Sequence, residues 1–335
     1  MDGVAYEEIV DEPVTSSRSV TRAALFGLAV GIPVSIVFLW LAFRDASLGA
    51  VWDATRLADL WLVAAAIVLY GIFYLLQGTR WHLIAAFSRP GRLGFVEMVV
   101  GAVACNNVLP GRIGEIFRAR WLAVAAPMPT GRAFATVGLD RGCDVVTLFA
   151  FLVVALPFVA PAAWVIRIVV GTGILILALA ALFVVARGYA RHKQRERRER
   201  GRVRRIARDI VDTLAEPLDR RRLVGALGLS AAAWGASAIA VWLVASSIGI
   251  NLGLLECLFV TGVLNLGVAI PSSPGFVGTY QWLSVASLAV FDVASEDALA
   301  FSFLMHASWY IPTTLVGGFL VLFRLDWGIR RAGRA

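Results

Sequence analysis

The sequence predicts an all-α polytopic membrane protein, with about six full transmembrane helices and two re-entrant broken-helix hairpins in an inverted repeat. Apolar residues make up 59% of the 335 residues, charged residues make up only 16%, and the mean hydropathy is +0.78. A soluble domain carries about a quarter charged residues, so the main solvent of this chain is expected to be lipid.

Six apolar stretches are long enough to cross a bilayer as a helix, which takes about 20 residues. They are 23–43, 58–76, 133–156, 164–186, 223–248 and 298–323. Their apolar residues run continuously, without the alternation that marks the strands of a membrane barrel. Helices are therefore predicted for every span.

Arginines set the predicted orientation, because basic residues are retained on the cytoplasmic side of a membrane. The segment 187–222 contains the run RGYARHKQRERRERGRVRRIARD and is expected to be a cytoplasmic loop. Counting spans outward places an acidic tail over 1–22 and a basic tail over 324–335 in the cytoplasm, around a transmembrane domain over 23–323. The first apolar run can span, so it is expected to remain as an anchor in the cell (inner) membrane.

The Arg-rich loop would also attract nucleic-acid phosphate. Topology and attraction to anionic lipid headgroups already account for its charge, so nucleic acid is not an expected partner.

Two further apolar segments are interrupted in the same way. The first reads NNVLPGRIGEIFRARWL and the second reads NLGVAIPSSPGFVGTYQWL. Each has an upstream Asn, then Pro-Gly, two residues and Gly; the residues concerned are Asn106, Asn107, Pro110, Gly111 and Gly114 in the first break, and Asn265, Ser273, Pro274, Gly275 and Gly278 in the second.

The two breaks occupy matching positions in two halves of the chain, at about 58–156 and about 223–323. The halves enter the membrane from opposite sides, which is the inverted repeat of many transporters. A broken helix persists at membrane depth only inside protein or beside a cavity. Each break is therefore expected to direct a helix N-terminus, with Ser273 as N-cap in the second, toward a bound anionic group. A Pro-Gly surface turn between two short helices is the structural alternative.

Ionisable residues inside spans are rare and usually face a partner or a cavity. Six of them recur at helical spacing near the first break and are expected to form one cluster: Arg112, Glu115, Arg118, Asp140, Arg141 and Asp144. They would either hold an anionic headgroup or form a structural salt-bridge network. The two roles are compatible, because an ion-paired network can line a cavity. Arg80 is expected to border the same region, together with Tyr70, Tyr74 and Gln77.

The strings NNVLPGRIGEIFRARWL, ATVGLDRGCDVVTL and AIPSSPGFVGTYQ resemble signatures of the lysylphosphatidylglycerol synthase transmembrane-region family, a group of flippase-like membrane proteins. The resemblance implies an integral membrane protein that moves or handles an anionic lipid. The aminoacyl-transfer domain of bifunctional members is not seen, so the chain is not expected to be the aminoacyl synthase. Thr279, Tyr280 and Gln281 replace an acidic residue expected in many relatives, which leaves the substrate open.

The predicted function is thus a lipid translocase whose partner is a membrane lipid with an anionic headgroup. No nucleotide-binding loop or other recognised catalytic motif is present, and the cysteines and histidines show no ligand spacing, so neither a cofactor nor a metal is expected. Two alternatives stay open. One is a membrane-embedded lipid-phosphate transferase, and the other is a scaffold that docks a glycosyltransferase or another lipid-modifying enzyme.

Overall fold

The computed structural model describes most of the chain as helices joined by short connections. The described residues are 32–44, 46–87, 90–110, 112–126, 128–159, 163–192, 202–215, 219–268 and 273–332. Their α-helices are α1 (Ile32–Phe43), α2 (Leu48–Arg56), α3 (Leu60–Ala85), α4 (Arg92–Val108), α5 (Ile113–Ala125), α6 (Thr130–Ala155), α7 (Ala163–His192), α8 (Arg202–Ala215), α9 (Arg220–Ser247), α10 (Leu254–Gly267), α11 (Thr279–Leu288) and α12 (Ser295–Ala332). No strand occurs among these residues, which confirms the all-α prediction.

Four helices in the described part of the chain are long and apolar enough to cross a membrane, so the protein is a multi-pass membrane protein. They are Leu60–Ala85, Thr130–Phe158, Arg220–Ser247 and Ser295–Phe323, and they correspond to four of the predicted spans. The predicted span 164–186 lies within α7. Of the predicted span 23–43 the described residues include 32–43, which form α1 and bend by 81° into α2. The count of six stays a prediction.

The two halves of the chain have the same order of elements. Each has a long helix, a short helix, a break, a second short helix and a long helix; these are α3 to α6 in the first unit and α9 to α12 in the second. The first long helix of each unit begins at a capping aspartate. Asp59 accepts the N–H of Trp61 at 2.9 Å, and Asp219 accepts the N–H of Arg221 at 3.2 Å, which satisfies backbone donors that a helix start leaves free.

The first helices of the two units, α3 and α9, pack against each other and run antiparallel. The N–H of Asp59 at the start of α3 donates to the carbonyl of Ser247 at the end of α9 at 2.8 Å. Arg80, near the other end of α3, lies 2.9 Å from the hydroxyl of Ser230 in the first half of α9. The first helices of the two units therefore point in opposite directions.

The first short helix of each unit packs against the last helix of the other unit. The first short helix of unit one, α4, packs along α12, where the Asn107 amide donates to the hydroxyl of Thr314 at 2.8 Å. The first short helix of unit two, α10, packs along α6, and Gly262 lies against Leu152. This packing brings the two breaks next to each other.

Candidate functional site

The first break lies between α4 and α5. Pro110 follows the end of α4, and Arg112 has a left-handed backbone with a φ of 54°, so α5 starts only at Ile113. The N–H of Gly114 donates to the side-chain oxygen of Asn106 at 2.8 Å, which caps the start of α5. A Cβ at Gly114 would overlap the carbonyl of Ala102, so only glycine allows this approach. Gly111 lies outside the described residues.

The second break lies between α10 and α11 and contains the short 3₁₀ turn Pro274–Phe276. Gly275 and Gly278 both have positive φ, at 68° and 87°, a region that glycine adopts readily. The side-chain oxygen of Gln281 accepts the N–H of Gly278 at 2.7 Å. Each break thus ends at a glycine whose N–H is capped by a side-chain amide.

The side chains of Ser273 and Asn265 both donate to nearby backbone carbonyls. The Ser273 hydroxyl donates to the carbonyl of Val277 at 3.1 Å and makes no side-chain cap, contrary to the expected N-cap role. The Asn265 amide donates to the carbonyl of Thr261 at 2.9 Å, within its own helix. Both side chains stabilise local backbone.

The two breaks meet. The phenol of Tyr310 donates to the carbonyl of Asn107 at 3.3 Å, and Gly275 lies close enough that a Cβ there would be 3.2 Å from the same carbonyl. Arg112 reaches across from the first break, donates to the Val268 carbonyl at the end of α10, and lies 5.8 Å from the centre of the Phe276 ring. The two breaks are therefore in direct contact.

Below the first break lies a buried ionic network. Its members are three arginines and three carboxylates: Arg80, Arg118, Arg141, Glu115, Asp140 and Asp144. Asp140 joins two helices, since its two oxygens lie 2.8 Å from Arg80 of α3 and 3.0 Å from Arg118 of α5. Asp144 lies 2.6 Å from Arg80 and 3.0 Å from Arg141.

Burial divides this network into two parts. The side chains of Arg80 and Asp140 are fully buried and that of Arg118 is 1% exposed, so this part ties helices together. The side chains of Arg141 and Glu115 are 40% and 29% exposed and lie at the edge of the network. Formal charges balance at three of each sign. The buried part matches the structural salt-bridge network among the two interpretations that the sequence left open, and headgroup binding at the exposed edge stays a prediction.

Five of the six residues predicted to cluster are brought together, and Arg112 is not in ion-pair contact with them. A spacing of three residues places Arg112 on the same helix face as Glu115 and Arg118 only when all three residues are helical. Arg112 instead precedes the helix with a left-handed backbone, which turns its side chain toward the second break.

Arg80 takes the central place in the network, where the sequence put it only at the border. Its guanidinium also lies 2.6 Å from the Gln77 side-chain oxygen and 2.9 Å from the Ser230 hydroxyl. Ser230 and Trp234, whose indole N–H donates to Asp144 at 2.8 Å, come from α9 and were not among the predicted residues. Their four-residue spacing inside an apolar run, and the need of a buried Trp N–H for a partner, are the signals that would have found them.

A helical membrane bundle with two opposed helix breaks and a buried ion network is the class of protein that this fold and site define. The chain belongs to the family of the lysylphosphatidylglycerol synthase TM region, whose model matches residues 25–317. This confirms the resemblance seen in the three motifs.

Three relatives are similar over most of this chain. A UPF0104 membrane protein of Pyrococcus horikoshii is 26% identical over 88% of this chain and 95% of its own length. A UPF0104 membrane protein of Methanothermobacter thermautotrophicus is 27% identical over 77% of this chain and 83% of its own length. The glycosyltransferase AglD of Haloferax volcanii is 25% identical over 78% of this chain, which spans only 48% of that relative.

Proposed function

We propose that this protein binds the anionic headgroup of a membrane lipid where its two breaks meet, and moves that lipid between leaflets. The observation that carries the proposal is Arg112, an exposed arginine that lies between the breaks outside the balanced network. Within the described parts of the chain no carboxylate lies in ion-pair range of Arg112. Its guanidinium is thus not held in a close ion pair.

The chemistry of Arg112 suits a lipid phosphate. A guanidinium has five N–H donors in a planar fork and binds phosphate through two of them at once. One N–H of Arg112 donates to the Val268 carbonyl, and one face of the guanidinium lies over the Phe276 ring. These contacts orient the side chain and leave its other N–H donors for a phosphate. Val108 and Leu109 beside it are 61% and 41% exposed, so apolar lipid tails can stay in the bilayer while the headgroup enters.

The pairing of the units supports movement as well as binding. We infer an inverted repeat, because α3 and α9 run antiparallel and the short helices α4 and α10 each pack on the last helix of the other unit. In inverted repeats, rocking of one unit against the other opens a central site to alternate sides. No nucleotide-binding motif is present in the sequence, so movement would be downhill or driven by an ion gradient.

Leaflet exchange in liposomes tests the function. The purified protein is reconstituted with fluorescent or isotopic phosphatidylglycerol, aminoacylated lipid or polyprenyl-phosphate sugar. Arg112→Ala is expected to lower the exchange rate by about 10-fold or more, since a charge-assisted hydrogen bond contributes about 1.5–3 kcal/mol. Arg112→Lys should restore part of the rate, because it keeps the charge without the fork.

Arg56→Ala is the matched control, since Arg56 is an exposed arginine of α2 paired with Asp53 at 3.0 Å, and it should exchange lipid at the wild-type rate. A wild-type rate no greater than that of empty liposomes, across all three lipid classes, would overturn the translocase.

We also place the protein in the cell (inner) membrane with both termini in the cytoplasm, on the strength of the basic segment 187–222. Cysteines introduced at Ser47 and Ala294 should react with an impermeant thiol reagent from outside, and one at Gln194 only from inside. Labelling at Gln194 from outside would reverse the orientation.

The similarity to AglD favours a second function, a membrane part that works beside a glycosyltransferase. Co-purification of a glycosyltransferase with wild-type protein, combined with the absence of lipid exchange, would favour this scaffold. A lipid-phosphate transferase is less well supported, because Asp140 and Asp144 are both engaged by arginines. Metal-dependent phosphate chemistry requires carboxylates that are free to coordinate.

A further inference from the structure

His306 of α12 lies at the centre of an aromatic cluster beside the second break. Its ring stacks on Tyr280 at 4.7 Å between centroids and lies 5.0 Å from Trp309 and 5.2 Å from Tyr310. His306 is only 7% exposed, and its ring lies next to the backbone of Gly275 in the second break. An ionisable residue buried inside a membrane span is a candidate functional group.

The hydrogen bonds around His306 fix its protonation state. Gln281 places its side-chain oxygen on the N–H of Gly278 at 2.7 Å, so its amide nitrogen must donate to His306 Nδ1 at 3.1 Å. A ring nitrogen that accepts a hydrogen bond carries no proton. His306 is therefore neutral with its proton on Nε2.

The packing limits what this site can take. A Cβ at Gly275 would lie 2.5 Å from the Tyr310 ring, and Tyr280 is 4% exposed, so the cluster has no room for a lipid headgroup. A proton needs no cavity. The described titratable groups that face His306 are the phenols of Tyr280 and Tyr310, and no charged side chain among the described residues contacts it.

We propose that His306 is a proton-binding site whose occupancy opens the second break. When the Nδ1 lone pair takes a proton from water, the imidazolium directs an N–H at the N–H of Gln281. Two donors cannot share that contact, so the Gln281 amide must turn and its oxygen leaves Gly278. The start of α11 then loses its cap. Return of Gln281 requires release of the same proton to water, so the cycle balances.

The consequence for transport rests on the proposed translocase. If opening of the second break exposes the headgroup site to one side of the membrane, then proton binding on that side drives the step. The proton gradient would in this way supply the energy for lipid movement.

Nitrogen-15 NMR of the protein labelled at histidine and at glycine tests the proton site without any transport assay. The chain has 3 histidines, so the signals of His306 can be assigned with a single variant, His306→Asn. At neutral pH we expect the tautomer with the proton on Nε2, and on acidification we expect His306 to protonate while the Gly278 amide gains hydrogen exchange. The opposite tautomer, or an unchanged Gly278 amide when His306 protonates, would overturn the proposal.

Lipid exchange under an imposed pH gradient then tests the coupling. The wild-type rate should change by up to about 10-fold per pH unit while one proton controls the opening. His306→Asn keeps an oxygen that accepts from Gln281 but does not titrate, so its rate should not follow pH. His82→Asn at the end of α3 is the matched control and should respond like wild type.

Gln281→Met provides a second variant, because it removes the cap without a proton and should give at neutral pH the rate of acidified wild type. An unchanged pH response in His306→Asn would overturn the coupling. Absence of exchange by wild type for every lipid would overturn the translocase instead, and the NMR result would still decide whether His306 binds the proton as proposed.

Discussion

The two breaks satisfy a free backbone N–H at a helix start in the same way, but their surroundings differ. In each, a glycine begins a short helix and its N–H is accepted by a side-chain amide, from Asn106 on the preceding helix in the first break and from Gln281 on the following helix in the second. The first break stands over a balanced network of six charges, whereas the second is lined by neutral aromatic and amide groups. The first break is thus next to fixed charges, whereas the second is next to neutral groups.

The breaks also differ in what covers them. Gly114 is contacted by Ala102 and Asn106 of its own unit. Gly278 is covered from outside its unit by α1, where the carbonyl of Ser35 lies against it and the Ser35 hydroxyl accepts the N–H of Ser273 at 2.9 Å. Movement of α1 alone would therefore uncover Gly278, while uncovering Gly114 requires α4 and α5 of one unit to separate.

The largest effect is expected from Arg80, which holds the first unit together. Arg80→Met should lower the free energy of unfolding by about 3–5 kcal/mol, because it leaves buried carboxylates without their central partner. The measurement is reversible unfolding in mixed micelles.

Arg56→Met, which removes an exposed arginine, should change stability by less than about 1 kcal/mol. The double variant Arg80→Met with Asp140→Asn should recover part of the loss. An Arg80→Met protein as stable as wild type would show that the network does not hold the first unit.

The glycines of the breaks should respond to a methyl group in different ways. Gly114→Ala forces a Cβ onto the Ala102 carbonyl, and overpacking of this kind costs about 1–3 kcal/mol. Gly278→Ala meets the Ser35 carbonyl instead, so we expect displacement of α1, and the positive φ at this position adds backbone strain to the loss of stability.

Disulfide cross-linking between cysteines introduced at Ser35 and Ser273 measures the position of α1, in a background without the native cysteines. Its yield should fall in Gly278→Ala and stay unchanged in Gly114→Ala. Equal yields in both variants would contradict the difference in cover.

The sequence predicted what depends on composition and local spacing. Four spans follow from apolar runs, and the grouping of Glu115, Arg118, Asp140, Arg141 and Asp144 follows from their helical spacing. The direction of Arg112 could not be read, since it depends on one left-handed backbone conformation.

Contacts between distant helices were also beyond local spacing. The places of Ser230 and Trp234 depend on the packing of α9 on α3, and the cover over Gly278 depends on where α1 docks. The four-residue spacing of Ser230 and Trp234 marks two polar side chains on one face of α9, but it does not identify the helix that they contact. Residues of this kind require the fold before their role can be assigned.

The two capping amides should contribute similar stability. Asn106→Ala is expected to cost about 1 kcal/mol, as for other helix caps. Gln281→Ala should cost about the same at neutral pH, but its cost should shrink on acidification if His306 protonation already removes the wild-type cap. Unfolding of both variants at two pH values measures this, and identical pH behaviour would remove the functional difference between the breaks.

The smallest effect concerns the docking of α1. Phe38 stacks on Trp282 of α11 with centroids 4.8 Å apart and an angle of 28° between the rings. In a membrane the alternative neighbour of Phe38 is lipid, which is equally apolar, so its removal loses mainly the stacking term of about 0.5–1 kcal/mol. Phe38→Ala should thus leave the unfolding free energy nearly unchanged and still lower the Ser35 to Ser273 cross-link. Trp40→Ala, on the exposed side of α1, should change neither measurement. An unaltered cross-link in Phe38→Ala would mean that α1 is held by its polar contact at Ser35 alone.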